Sequence, residues 1–385
     1  MRRTRLMKVK VAACSLTVIA IVQFLEWTFS RPNITLPTAS SPQIIHEISN
    51  TEGDTNLPKF NISSLAEFDE HKRKEIEEYV TNNKPIKFDE MPWSTPFDLD
   101  LRVIVITFDR ADSVGRLLES LNNADYLGDK VGIDVWIDRS DSGDINDEVF
   151  AVAREFRFKH GEVYIHNQTR HVGRTGQWMN TWVPCPPCKE IAVILQDELT
   201  VSKYFYKWLK NVHAKYDSLQ YINGYSLQGY SIKHGGTSGR LRGPEDSIVF
   251  MYPIIGTMGF SPSKENWIKF IHWYERTTKI PSFLPIIPGI LQTVWYKQSI
   301  KQGTTDKMWY IWHIYHSWKM NQRSMYPNLP GSVGLTVKWD ENDDTEMDNK
   351  YCSLLGAWEP RFDDLPDEPI HLNVKGQISS RYQYL

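Results

Sequence analysis

Apolar and polar positions along this chain alternate between two rhythms. Short, largely apolar runs, Leu101–Thr107, Gly132–Ile137, Glu162–His166 and Ile191–Leu195, are rich in branched side chains. Such runs predict strands covered on both faces, the pattern of a parallel sheet. Between them lie stretches with one apolar helical face. Val114, Leu117, Leu118 and Leu121 form the first, and a second runs from Ile145 to Phe158. Asp112 is placed to cap the first of these helices. Strands alternating with helices predict an α/β fold with a mostly parallel, doubly wound sheet.

Polar residues gather where the runs end. Phe108-Asp109-Arg110 follows the first, Asp138-Arg139-Ser140-Asp141 the second, Arg170-His171-Val172-Gly173-Arg174 the third and Gln196-Asp197-Glu198 the fourth. In an open α/β sheet, ligands bind outside the carboxyl ends of the strands, so these groups are expected to share one crevice. Ser202 is placed to cap a helix from Lys203 that carries Tyr204, Phe205, Tyr206 and Trp208. No Gly-x-Gly-x-x-Gly or phosphate-loop lysine motif occurs, which argues against a dinucleotide-binding Rossmann domain.

Further on, Tyr221–Gln228 and Val249–Tyr252 predict two more strands, and Ser263 is placed to cap a helix carrying Trp267, Ile268, Phe270, Ile271 and Tyr274. Residues 280–293 form an apolar, proline-rich loop that either covers the crevice or lies near a membrane. Asp306 opens another helix, with Trp309, Trp312, Tyr315 and His316 mostly in the core. Ser324–Pro330 predicts a final strand and turn, and Asp340–Asp348 an acid-rich loop.

Composition changes the picture at the N-terminus. Arg2, Arg3, Arg5, Lys8 and Lys10 precede the uncharged run Val11–Leu25, which is followed by Glu26, Trp27 and Phe29. At about 1.5 Å per residue, residues 11–29 reach about 28 Å, enough for a bilayer core if Lys10 snorkels. The reading is a cytoplasmic tail over 1–10, a transmembrane signal-anchor over 11–29, a stem over 30–97 and a lumenal domain over 98–385. A cleaved signal peptide is the competing reading, although no small-x-small site follows Leu25.

The stem is dominated by Pro, Ser, Thr and Asn up to Pro58, a composition that cannot bury a core, and Glu67–Asn82 predicts one solvated helix. Sequons at Asn33, Asn61 and Asn167 agree with a lumenal location. Beyond residue 29 there are 39 Lys+Arg against 46 Asp+Glu, a balance of −7 that argues against a nucleic-acid partner. Cys185, Cys188 and Cys352 remain outside the anchor, an odd number for an oxidising compartment. Cys185-Pro186-Pro187-Cys188 is read as a stiff loop or structural disulfide, with redox chemistry as the alternative.

Three segments carry a family resemblance: Val103–Arg110, the strand end at Asp138, and Val193-Ile194-Leu195-Gln196-Asp197-Glu198-Leu199 followed by Tyr204-Phe205. In these the chain resembles nucleotide-sugar glycosyltransferases of the type A fold (GT-A), and is similar to the N-acetylglucosaminyltransferase I family and family-2-like transferases. There an apolar strand ends in Glu-Asp-Asp, a variant of Asp-x-Asp. The resemblance covers residues 101 to about 330.

It implies an inverting transferase in the Golgi membrane that moves a sugar, most readily N-acetylglucosamine, from its UDP donor to a glycan or glycoprotein hydroxyl. It implies Mn²⁺ or Mg²⁺ held by Glu198 at the third motif position, with Asp197 in the middle. Gln196 departs from the family in place of the first acid. It further implies Asp109, Arg110 and Asp138 around the nucleoside, Arg170, His171 and Arg174 along the diphosphate, Gly256–Phe260 close to the donor sugar, and Asp306 as the base that takes the acceptor proton.

A plainer reading remains for each group. Asp197 and Glu198 suit a helix start, Asp109 and Asp112 a turn and cap, and Asp306 an N-cap. The altered Gln-Asp-Glu motif motivates a second reading, a lumenal glycan-binding protein that has lost catalysis. A soluble secreted binding domain requires signal cleavage.

Overall fold

A computed structural model of the chain describes residues 98–185, 188–232, 240–331, 333–339 and 353–385. The expected tail, anchor and stem, the sequons at Asn33 and Asn61, the acid-rich loop and Cys352 lie outside these residues. Among the described residues, no helix is long and apolar enough to cross a membrane.

The apolar runs form strands much as their pattern predicts. They are β1 (Leu101–Thr107), β2 (Val131–Ile137), β3 (Gly161–Asn167) and β4 (Ile191–Gln196). Short strands follow: β5 (Leu199–Val201), β6 (Ile222–Ser226), β7 (Ser231–Ile232), β8 (Arg240–Leu241), β9 (Val249–Tyr252) and β10 (Phe260–Pro262). The last are β11 (Arg323–Pro327), β12 (Val333–Gly334), β13 (Thr336–Lys338), β14 (Ser353–Leu354) and β15 (Ile370–His371).

Nine of these make one sheet in the order β15-β9-β11-β6-β10-β4-β1-β2-β3. Pairing is parallel through β4-β1-β2-β3 and between β6 and β11. Strand β10 runs antiparallel to both β4 and β6, and β9 antiparallel to β11. The fold is therefore mixed α/β with a mostly parallel sheet. Ser324–Pro330 was expected to close the fold; instead β11 sits inside the sheet, and β15 comes later at its edge.

Successive side chains of a strand point to opposite faces, and both faces here are covered. Leu101, Val103 and Val105 of β1 join one core with helices α1 (Ala111–Asn122), α2 (Asp147–Glu155) and α4 (Phe205–Tyr216). Ile104 and Ile106 join the other, with α3 (Gly173–Asn180), α5 (Lys264–Thr277), α6 (Leu291–Gln302) and α7 (Trp309–Lys319). Val114, Leu117, Leu118 and Leu121 of α1 are at most 1% exposed. Burial of each stabilises the fold by about 1.5–3 kcal/mol.

Caps differ from the sequence pattern. Arg110, not Asp112, is the N-cap of α1, and Asp112 falls in its first turn. Asn146 caps α2 by accepting from the Val149 N–H. Ser202 stands before α4; its hydroxyl accepts from the Tyr204 N–H and donates to the Leu355 carbonyl, tying the helix entry to a late segment. Cys185 and Cys188 are joined by a disulfide. In the proline-rich loop Ile287 and Ile290 enter the core while Ile280 and Leu284 are exposed.

Candidate active site

Register decides which strand ends meet. Thr107 pairs opposite Ile137 of β2, and Ile106 opposite Gln196 of β4. Asp109-Arg110, Asp138 and Asp197-Glu198 therefore leave the sheet side by side at its carboxyl edge, where the helices that follow diverge and leave a crevice. A cleft of about 270 Å³ opens there. It is lined by Asp109, Arg110, Asp138, Arg174, Asp197, Glu198 and Asp306 from the residues singled out by sequence, together with Thr107, Gln177 and Lys307. Arg170 does not line it and is exposed on the bend before α3.

At the floor, Asp197 and Glu198 are 1% and 2% exposed. Arg110 Nη2 donates to Asp197 Oδ1, and also to Glu198 Oε2 at 2.6 Å. The Thr107 hydroxyl donates to Asp197 Oδ2 at 2.7 Å. Gln196 Nε2 donates to Glu198 Oε1 at 2.9 Å, and Lys338 Nζ approaches the same oxygen at 3.3 Å. Lys338 arrives because β13 pairs antiparallel with β5, placing it opposite Leu199. The acids thus bond to a guanidinium and an ammonium; they do not cap α4, which begins at Phe205.

Burial pushes the Asp197 carboxyl up to about 6, against the pull of Arg110 and Thr107. Burial acts in the same sense on Glu198, but Lys338 and Arg110 outweigh it and hold that carboxyl below its ordinary value. Burial disfavours the charge on Arg110, and Asp197 and Glu198 more than restore it. Near neutral pH the floor is a charged cluster of two anions and two cations.

Asp138, 3% exposed, accepts from the Val172, Gly173 and Arg139 N–H groups at 3.0, 2.9 and 2.9 Å, and His171 Nδ1 lies 3.2 Å from its Oδ2. A role beside a nucleoside was expected for it. It lines the cleft, and its oxygens also hold the turn into α3, where Gly173 takes a left-handed φ of 65°. That turn presents His171 and Arg174 to the cleft and leaves Arg170 outside. Gln177 Nε2 braces the floor from beneath, donating to the Thr107 and Trp136 carbonyls.

Asp306 lies in a 3-10 turn, Thr305–Lys307, just before α7, rather than at a helix N-cap. The turn docks on α3 through the Thr175 hydroxyl, which donates to the Asp306 carbonyl. Trp178 and Trp309 stack with centroids 3.9 Å apart and fix α3 against α7. The Asp306 side chain is exposed, and a Cβ built on Gly173 would stand 3.9 Å from its Oδ2. Gly256–Phe260 does not line the cleft: a Cβ on Gly256 would meet Ser226 Oγ at 2.1 Å, so this segment packs on β6.

The expected Mn²⁺ or Mg²⁺ does not fit this donor set. Such ions take several oxygen ligands, and both oxygens of Glu198 already face cationic or N–H donors. No three His, Cys, Asp or Glu side chains are grouped to hold a metal ion among the described residues.

No protein-family model matches the chain, and no curated protein matches it. Among solved structures it is similar to a mannosyltransferase from Pyrobaculum calidifontis in complex with GDP-Man and Mn²⁺, at 15% identity and a TM-score of 0.32, over 53% of this chain and 56% of that one. It is also similar to residues 1–349 of S. aureus TarS, at 15% identity and a TM-score of 0.28, over 45% and 54% of the two chains. The chain therefore spans little more than half of these structures. At such scores the functional reading rests on the cleft itself.

Proposed function

We propose that the chain is a nucleotide-sugar-dependent glycosyltransferase, moving a sugar with inversion from a UDP donor, N-acetylglucosamine first among candidates, to a glycan hydroxyl. We place it in the Golgi lumen on a type II anchor over residues 11–29. The observation that carries the reading is the cleft at the carboxyl edge of the sheet, which Arg110 and Arg174 line together with the exposed Asp306. Guanidinium groups match diphosphate oxygens, and they lie on the wall where the leaving group gathers charge. Asp306 is the acceptor-side base. It takes the hydroxyl proton while that oxygen attacks the anomeric carbon opposite the departing diphosphate, which leaves with the bonding electron pair.

The test is UDP release by the full-length chain in detergent across a panel of UDP-sugars and oligosaccharide acceptors. Asp306→Asn is expected to lower turnover about 10²–10⁴-fold and to leave donor affinity within about twofold, since the residue acts on the acceptor. Equal losses in turnover and donor affinity would remove Asp306 from the role of base. A second reading, a glycan-binding protein without catalysis, is favoured by Gln196 in place of the family's first acid. Glycan binding without UDP-sugar binding would select it.

A further inference from the structure

We propose that Lys307 and Arg174 form a two-cation clamp for the leaving group, with Lys307 on the terminal phosphate, so that the donor is a nucleoside diphosphate sugar and not a monophosphate one. The inference rests on the transferase reading above and assigns Lys307, which that reading leaves unused. Three observations carry it. Both side chains are exposed and line the cleft, and among the described residues neither makes an ion pair or a side-chain hydrogen bond. The buried acids of the cleft are already matched: Arg110 and Lys338 hold Asp197 and Glu198, and backbone N–H groups hold Asp138. The turn that carries Lys307 is docked on α3, which carries Arg174, by the bond from the Thr175 hydroxyl to the Asp306 carbonyl and by the stack of Trp178 on Trp309.

The physical logic is charge matching. Arg174 acts on Glu198 through its charge alone, and Lys307 has no acid bonded to it, so the cleft holds two cations whose donors point to a ligand. In a sugar nucleotide a diphosphate bridge carries two negative charges and a monophosphate bridge one. The guanidinium of Arg174 presents a planar fork suited to phosphate oxygens, whereas the ammonium of Lys307 is a compact charge on a flexible stem. That stem lets it reach the leaving side while the carboxylate before it faces the acceptor. As the bond from the anomeric carbon to the terminal phosphate oxygen breaks, the electron pair stays on that oxygen and its charge rises. Lys307 donates a hydrogen bond there and keeps its proton; Asp306 takes the proton of the attacking hydroxyl.

The test is calorimetric titration of the full-length chain in detergent with UDP and with UMP, which differ by the terminal phosphate. Lys307→Met should weaken UDP binding at least about tenfold while UMP affinity stays within about twofold, so that the preference for UDP collapses. Arg174→Met should weaken both nucleotides, and Lys307→Arg, which keeps the charge, should restore most of the UDP affinity. A loss of fold in Lys307→Met would lower both affinities together, a pattern that selective loss of UDP binding does not share. UDP binding unchanged in Lys307→Met, or UDP and UMP weakened equally by it, overturns the proposal and leaves the transferase reading standing on UDP release. No binding of UDP or of any UDP-sugar by the wild type sinks both.

Discussion

Two arginines near opposite ends of one strand do the same chemistry in different surroundings. Arg102, near the start of β1, donates to Asp134 at 2.7 Å and to Glu190 at 3.1–3.2 Å. Arg110, just past its end, donates to Asp197 and Glu198. Each guanidinium bonds two buried carboxylates. The Arg102 side chain is 3% exposed, whereas that of Arg110 is 23% exposed and lines the cleft. Around the first cluster, His166 closes on Asp134 at 2.6 Å and stacks on Trp136. Strand direction decides the difference. At the carboxyl end the chain diverges into loops and leaves room for a ligand, while at the other end it is packed shut. A charged cluster is thus a functional signal only together with its place on the sheet.

The largest test of this contrast is Arg102→Met. It leaves Asp134 and Glu190 buried without their cation and should cost about 3–5 kcal/mol of folding stability in denaturant unfolding. The folded fraction should bind UDP as the wild type does; a matching loss of affinity would dissolve the distinction between the two ends.

Next comes the pH dependence of Asp197. Its folded pKa of about 6 lies above its ordinary 3.8, so the proton is held more tightly in the folded chain. Its stabilisation is therefore present below pH 3.8 and lost as pH rises through about 6, amounting to about 3 kcal/mol across that window. Stability of the wild type relative to Asp197→Asn should decline between pH 4 and 7, in the sense opposite to a salt-bridged acid. A flat or rising difference would show that Arg110, not burial, dominates this carboxyl.

Arg110→Met should cost less stability than Arg102→Met, about 1–2 kcal/mol. Asp197 can take up a proton, and Lys338 remains beside Glu198. Its larger effect falls on nucleotide affinity, the reverse of the Arg102 pattern. Lys338→Ala should be smallest, under about 1 kcal/mol, because that side chain is 44% exposed. Its signature is a rise in the Glu198 pKa, readable by carboxylate NMR.

The first half of the sheet was legible because its strands are largely apolar runs in local βα succession. Strand β4 was read as Ile191–Leu195 and extends to Gln196. In the second half β6, β9 and β11 were legible as Tyr221–Gln228, Val249–Tyr252 and Ser324–Pro330, whereas β10 was not, because it has three residues and reaches its place by crossing between β4 and β6. Asp109, Arg110, Asp138, Arg174, Asp197, Glu198 and Asp306 were findable as polar residues at strand or helix ends. Arg170 lies outside the cleft because the bonds from Val172 and Gly173 to Asp138 set the turn, which spacing does not encode. Lys338 carried no local signal; it reaches Glu198 through pairing between distant strands. Asp138 shows a further limit, since sequence places an acid at the cleft but not which N–H groups it satisfies.

The β5–β13 pair also sets an order of events during synthesis. The block β4-β1-β2-β3 is encoded by residues 101–196 and can collapse while the rest is still being translated. Trp339 N–H donates to the Glu198 carbonyl, and Lys338 is the neighbour that neutralises its carboxylate. Until those residues leave the ribosome, Glu198 at the end of β4 has Arg110 and Gln196 as partners but not Lys338. Chains cut short before Thr336 should therefore keep the early strands yet present an unfinished floor, in which the Glu198 carboxylate lacks Lys338.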